Sequence, residues 1–201
     1  RSMLEPREVD FETELAAIAG RWGTPLRVVA ELDDLSFDPV QDPTRTGEVL
    51  MVVRRPNGRL LLSIKTFYPR TGWRLPTGGI HPGETIAGAL ARETFEETGL
   101  AYDVVRFLAA IEYRARGEKR AAFHTFCFHL QETGGTLAVQ DASEQIEGFR
   151  EIEPDELLTV AATREAIGSA VAPMSETRGD WAAWGRFRAV AHRAVHRALV
   201  R

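Results

Sequence analysis

The stretch GGIHPGETIAGALARETFEETGL, residues 78–100, decides how the chain folds and carries an electrostatic problem. Its second half reads as a helix from about Thr85 to Thr98 that stops at Gly99, because glycine takes the left-handed conformation that ends helices. Glu93, Glu96 and Glu97 then lie within one turn, and both pairs that involve Glu93 repel by roughly a few tenths of a kcal/mol. They also occupy the last turn, where the partial negative charge of the helix end opposes carboxylates. A nearby positive charge must offset this.

Projected at about 100° per residue, Ile86, Leu90, Glu93 and Glu97 fall on one line, so the face begins apolar and ends acidic. Glu97 lies inside the apolar arc completed by Ala87, Ala91 and Thr94, and a carboxylate aimed at the protein body must be paired or bind a cation. Glu96 points farther outward and, taken alone, reads as a surface acid. Three neighbouring carboxylates without a soft ligand suit a hard divalent cation, Mg²⁺, Mn²⁺ or Ca²⁺, over Zn²⁺. Mg²⁺ takes few protein ligands and leaves positions for phosphate oxygens, which implies a phosphate-bearing substrate. Gly78 and Gly79 let the backbone come close to a metal or phosphate, and Pro82-Gly83 turns the chain into the helix. Glu84, at the helix start, reads equally well as a helix cap.

Gly78, five residues, Glu84, seven residues, then Arg92-Glu93-Thr94-Phe95-Glu96-Glu97-Thr98-Gly99-Leu100 resembles the signature of the Nudix hydrolases. The soft departure is Thr94, where that family carries an aliphatic residue. The resemblance implies an α/β fold, the α/β/α sandwich with a mixed β-sheet, and hydrolysis of a diphosphate linkage by attack of water at phosphorus. It implies that Glu93, Glu96 and Glu97 hold Mg²⁺ or Mn²⁺, that the Gly78 carbonyl joins them, that Arg92 orients carboxylates and that Glu84 supports the site. In some members the acid matching Glu93 is the general base, and others use a glutamate on a later loop, for which this chain offers Glu144 and Glu147. The expected substrate is a nucleoside diphosphate linked to another moiety, with a nucleoside triphosphate next. A non-catalytic nucleotide sensor on the same fold is the alternative, disfavoured because every acid is retained, and diphosphate isomerisation is a third reading. Family markers for ADP-ribose and NADH are absent, and Tyr113 stands at an uncertain offset for the dinucleoside polyphosphate marker.

Outward from this centre, EVLMVVRRPNGRLLLSIKTF reads as two strands around a Pro56-Asn57-Gly58 turn, and YPRTGWRLPTGGIHPGE as turn-rich chain. YDVVRFLAAIEYRA and KRAAFHTFCFHLQ are two further strands, followed by a strand near GFREIE and a helix from Pro154. Strands interleaved with helices predict α/β or α+β with a mixed sheet. Upstream, PREVDFETELAAIAGRWG is a short amphipathic helix, LRVVAEL a strand that could cross to a partner subunit in a homodimer, and FDPVQDPTRTG a linker. The expected organisation is an N-terminal helix and strand extension over residues 1–45, a catalytic domain over 46–165 and a C-terminal amphipathic helix within 166–201. That last helix repeats Trp181, Trp184, Phe187, Ala191 and Val195, with Arg186, Arg188, Arg193 and Arg197 read as a solvated basic face against the alternative of a phosphate-binding surface.

With 201 residues, 44% hydrophobic and a net charge of −4, the chain can bury a full core and is not a general nucleic-acid or membrane-surface binder. One cysteine, Cys127, excludes an internal disulfide, and neither a leader peptide nor a spanning segment is evident, so a cytoplasmic protein without membrane or nucleic-acid partners is expected. Arg1-Ser2 before Met3 reads as a cloning remnant. Arg70, Trp73 and Arg74 are substrate candidates, Trp73 to stack on a base and the arginines to bind phosphate, with Gly79 beside them. The bland alternative for Trp73 is a strand alternating between core and solvent. His124 and His129 fall on opposite strand faces, His192 and His196 read as solvated, and Cys127 as a small core residue.

Overall fold

The structure, a computed structural model, describes residues 10–168 and 179–201. The apolar run from Val49 to Val53 is long enough to be buried on both faces, and it forms the central strand of a mixed sheet. In chain order the elements are α1 (Glu12–Trp22), β1 (Leu26–Leu32), β2 (Gly47–Arg54), β3 (Leu60–Lys65), β4 (Thr77–Ile80), α2 (Ile86–Thr98), β5 (Leu100–Ala115), β6 (Phe123–Gly135), β7 (Ile146–Ile152), α3 (Leu157–Glu165) and α4 (Trp181–Leu199). Single 3₁₀ turns stand at Ala142–Glu144 and Pro154–Glu156.

The sheet runs β1-β5-β6-β2-β3-β7, with β4 against the first half of β2. β1 pairs parallel to β5 and β2 parallel to β6, while β5–β6, β2–β3 and β3–β7 are antiparallel. Alternation along β2 sends Val49, Met51 and Val53 to the layer that holds Leu15 and Ile18 of α1 and Ile86 and Leu90 of α2. Leu50 and Val52 face the opposite layer, with Leu157 of α3 and Trp184, Phe187 and Val195 of α4. The result is helices on both faces of a mixed sheet, the α/β/α sandwich expected.

Several expectations change. LRVVAEL pairs in register with β5 of the same chain, from Leu26 against Ala109 to Leu32 against Ala115, so it does not cross to a partner. The stretch expected as a linker is packed, with Phe37 1% exposed and 5.3 Å from the Phe187 ring. TGGI, read as part of a turn-rich segment, is a strand because β2 pairs with it from Gly47 to Leu50. On α4, Arg188 and His192 belong to the buried face, not the solvated one. Arg188 donates to Glu48 Oε1 at 2.6 Å, and His192 accepts the Leu75 N–H at 3.1 Å. Parts of the N-terminal helix expectation, the cloning remnant and the segment before α4 lie outside the described residues. No helix among the described residues is long and apolar enough to cross a membrane.

Candidate functional site

The central helix is held at both ends by side chains and loops from elsewhere. At its start the Thr85 hydroxyl accepts the Gly88 N–H at 3.0 Å, and Glu14, reaching over from α1, accepts the Ile86 N–H at 2.6 Å. At its end Gly99 takes φ 65°, and its N–H reaches the Phe95 carbonyl at 2.9 Å. The Glu96 carbonyl accepts from Gln140 and Asp141 at 2.8 and 3.2 Å, and the Thr98 carbonyl accepts from Ala138 at 2.9 Å. These bonds anchor the loop after β6 on the helix end. Asp141 then caps the 3₁₀ turn through the Ser143 N–H, which carries Glu144 back over the helix.

Glu93, Glu96 and Glu144 each present an oxygen within 4.8 Å of the others, so a helix and a loop far apart in sequence meet in one acidic group. Glu147 is exposed and is not among them. Glu97 is 0% exposed, and among the described residues neither of its carboxylate oxygens has a hydrogen-bond partner; Glu93 Oε2 also lacks one there. Burial pushes the Glu97 carboxyl up to about 8 against the pull of Arg74 and Lys65. Burial likewise raises Glu93, with Glu144 and Glu96 adding to the effect and Arg92 opposing it.

Arg92 organises the acids. Its Nε and Nη2 donate to the two oxygens of Glu84 at 2.8 and 2.9 Å, and Nη1 donates to Glu93 at 2.7 Å and to Glu96 at 3.0 Å. Nη2 also donates to the Gly79 carbonyl at 2.8 Å, tying β4 to the helix. The hydrogen bond to Glu84 is the largest cause that drives Arg92 above the ordinary arginine value, and the same bond lowers Glu84. Glu84 further accepts the His81 N–H at 3.0 Å, so it braces the turn and Arg92 while Thr85 and Glu14 cap the helix. A β-carbon at Gly78 would fall 1.9 Å from the Glu93 carboxyl carbon, so only glycine fits beside this acid. At Gly79 it would fall 2.8 Å from the Arg45 side chain.

The candidates of the upstream loop divide. Arg70 is exposed, Trp73 is half-buried with the Arg150 guanidinium 5.5 Å from its ring, and Arg74 is buried, donating to Tyr68 Oη and the Leu75 carbonyl. Lys65, not singled out in the sequence, pairs with Glu144 at 3.2 Å. Its place at the end of an apolar strand was its one signal. Arg45 and Glu14 had none, since each meets the site through contacts distant in sequence. Cys127 is buried in the sheet, where burial pushes its thiol well up.

The sequence model of the NUDIX domain matches residues 44–171, more than half of the chain. The chain belongs to the NUDIX family. Within it, the RNA pyrophosphohydrolase of Yersinia enterocolitica is 51% identical over 71 residues, 35% of this chain and 39% of that protein. The RNA pyrophosphohydrolase of Serratia proteamaculans is 38% identical over 71 residues, again 35% and 39%. The matches to these curated relatives therefore span less than two fifths of their length. The solution structure of the E. coli ORF135 protein is similar at 21% identity with a TM-score of 0.45, covering 68% of this chain and 81% of that one. In this NUDIX chain the Thr94 departure is met within the helix: the buried hydroxyl donates to the Leu90 carbonyl at 2.7 Å.

Proposed function

We propose that the protein hydrolyses a diphosphate linkage, in a nucleoside diphosphate joined to another group or in a nucleoside triphosphate, with Mg²⁺ or Mn²⁺ as cofactor. The observation that carries this is the pair of Glu97 oxygens without a partner among the described residues, with the convergent Glu93, Glu96 and Glu144. Buried carboxylate oxygens without a donor are unfavourable unless a cation reaches them, and an all-oxygen donor set suits a hard divalent ion. The residues therefore fit such an ion, with Glu93, Glu96 and Glu97 to hold it and the Gly78 backbone alongside. When bound, the ion neutralises phosphate oxygens and makes water a stronger acid.

The chain's own groups supply the rest. Arg92 fixes the orientation of Glu93 and Glu96 through its fork of hydrogen bonds. Glu93 and Glu144 are the two candidates to take the proton from the attacking water, and the loop bonds to the Glu96 carbonyl hold Glu144 within reach. Lys65 offsets the charge that builds when these acids are ionised together. The name borne by the curated relatives adds the 5′ end of an RNA to the candidate substrates.

Pure protein incubated with a panel of nucleoside triphosphates, dinucleotides, nucleoside diphosphate sugars and 5′-triphosphorylated RNA, with Mg²⁺ or Mn²⁺ and detection of phosphate products, tests the proposal. Turnover of at least one class is expected, abolished by chelation. Inactivity on every class would count against it, as would full activity after Glu97→Gln.

A further inference from the structure

Among the described residues β1 ends the sheet: β5 lies on one side of it, and no strand pairs with the other. The Leu32 carbonyl accepts the Arg116 N–H at 3.1 Å, one residue past its register partner Ala115, so Leu32 turns its backbone groups toward β5. By the alternation of a strand Leu26, Val28 and Ala30 do the same, and the N–H and carbonyl groups of Arg27, Val29 and Glu31 point to the open edge. The side chains alternate as well. Leu26, Val28, Ala30 and Leu32 are half-buried against the layer of α3 and α4, whereas Arg27, Val29 and Glu31 stand exposed on the other face, Val29 to 55%.

A row of unpaired backbone groups is a template for another strand, and proteins blunt such edges with a proline, a bulge or a charge, lysine above all. LRVVAEL has neither proline nor lysine, and its register with β5 runs unbroken from Leu26 to Leu32. Its charges are of opposite sign and stand symmetrically, Arg27 before and Glu31 after Val29. Neither is firmly engaged within the chain. Arg27 meets Glu12 at 3.2 Å in a pair exposed to 54% and 72%, a kind of contact that holds weakly, and Arg114, the register partner of Glu31, donates to Glu112 instead.

A second copy turned about a two-fold axis through Val29 lies antiparallel along this edge. Val29 then meets Val29 of the second copy and each Arg27 meets a Glu31, all as pairs that exchange both N–H···O bonds. On the other face Leu26 meets Leu32 and Val28 meets Ala30, which carries the apolar layer across the axis. Moving the axis to Arg27 or to Glu31 sets like charges directly opposite each other, which is unfavourable, so the charges favour the register centred on Val29. We infer that β1 is a homodimer interface: two copies of this chain join edge to edge through antiparallel β1 strands, as one continuous sheet. Each chain keeps β1 on its own sheet. The contact uses none of the residues proposed for hydrolysis, so dimer and activity are tested separately.

The test is analytical ultracentrifugation of the full chain across micromolar to millimolar concentrations. The wild type should form a reversible dimer. Val29→Pro removes an N–H that points away from β5, a loss that edge strands tolerate, so it should keep the circular dichroism of the wild type while dimerising on the order of tenfold more weakly or worse. Arg27→Glu and Glu31→Arg, each alone, bring like charges together at both ends of the contact and should weaken self-association by a similar factor. Mixed in equal amounts, these two variants should associate with each other about as tightly as the wild type does with itself, because each supplies the charges that the other lacks. A wild type that stays monomeric at every concentration would overturn the interface, as would a dimer that a folded Val29→Pro leaves intact, or a mixture that associates no more tightly than its separate components. Should Val29→Pro fail to fold, the mixture decides alone.

Discussion

Gly78 and Glu93 are so close that a β-carbon on the glycine would stand 1.9 Å from the carboxyl carbon of the acid. Gly78→Ala must therefore push Glu93 or β4 aside. Overpacking of this kind destabilises by about 1–3 kcal/mol, and displacing a positioned acid lowers turnover by roughly a hundredfold. Urea unfolding and the rate on whichever nucleotide is cleaved measure the two effects.

Arg92 is the shared partner of Glu84, Glu93 and Glu96, and a lysine cannot reproduce its fork. Arg92→Lys is expected to lose about 1–3 kcal/mol of stability and to lower kcat more than it raises KM, because the acids are misplaced while the substrate contacts remain. Steady-state kinetics separate the two parameters; an unchanged kcat would contradict the positioning role.

His192 gives a stability signature on the acid side that is independent of metal. Its Nε2 accepts the Leu75 N–H while Nδ1 lies 2.7 Å from the Arg188 carbonyl, so the ring is held neutral. Burial pushes its pKa from 6.5 down to about 3. The unfolded chain thus binds a proton that the folded one refuses, and the stability is fully present above about pH 6.5 and is lost as pH falls toward 3, at about 1.4 kcal/mol per unit. His129, lowered to about 4 chiefly by burial, acts in the same direction. Denaturant midpoints between pH 7.5 and 5 should fall more steeply for wild type than for His192→Asn.

Glu97 acts in the opposite direction. Its folded value of about 8 against an ordinary 4.5 means that the folded chain holds the extra proton, so metal-free stability declines as pH rises from 4.5 to 8 and levels off above. Relative to wild type, Glu97→Gln should gain stability steadily across that window, by a few kcal/mol in all, while losing metal-dependent activity. Unfolding curves in the presence of chelator check the trend, and a constant difference between the two proteins would refute the buried, proton-holding carboxylate.

The helix α2, its Gly99 stop and the β2–β3 hairpin were legible because periodicity and turn chemistry speak through neighbours in sequence. β4 was not, since the two central glycines of Thr77-Gly78-Gly79-Ile80 weaken any strand signal from Thr77 and Ile80, and pairing with β2 makes the strand. Arg188 and His192 stand four and eight residues beyond Trp184, on its stripe of the helix; their polarity suggested water, whereas Glu48 and the Leu75 N–H supply their partners. The choice between Glu144 and Glu147 lay beyond periodicity, because it depends on the loop bonds to the Glu96 and Thr98 carbonyls. Glu14 illustrates the same limit: one carboxylate from α1 caps a helix that starts more than seventy residues later.

The central claim is that the carboxylates around Glu93 and Glu97 hold a divalent ion, and Mn²⁺ binding to the full chain measured by electron paramagnetic resonance tests it most directly. The account predicts saturable binding by the wild type, weakened on the order of tenfold or more in both Glu93→Gln and Glu97→Gln. Affinity left unchanged by both substitutions, or no saturable binding at all, would contradict it.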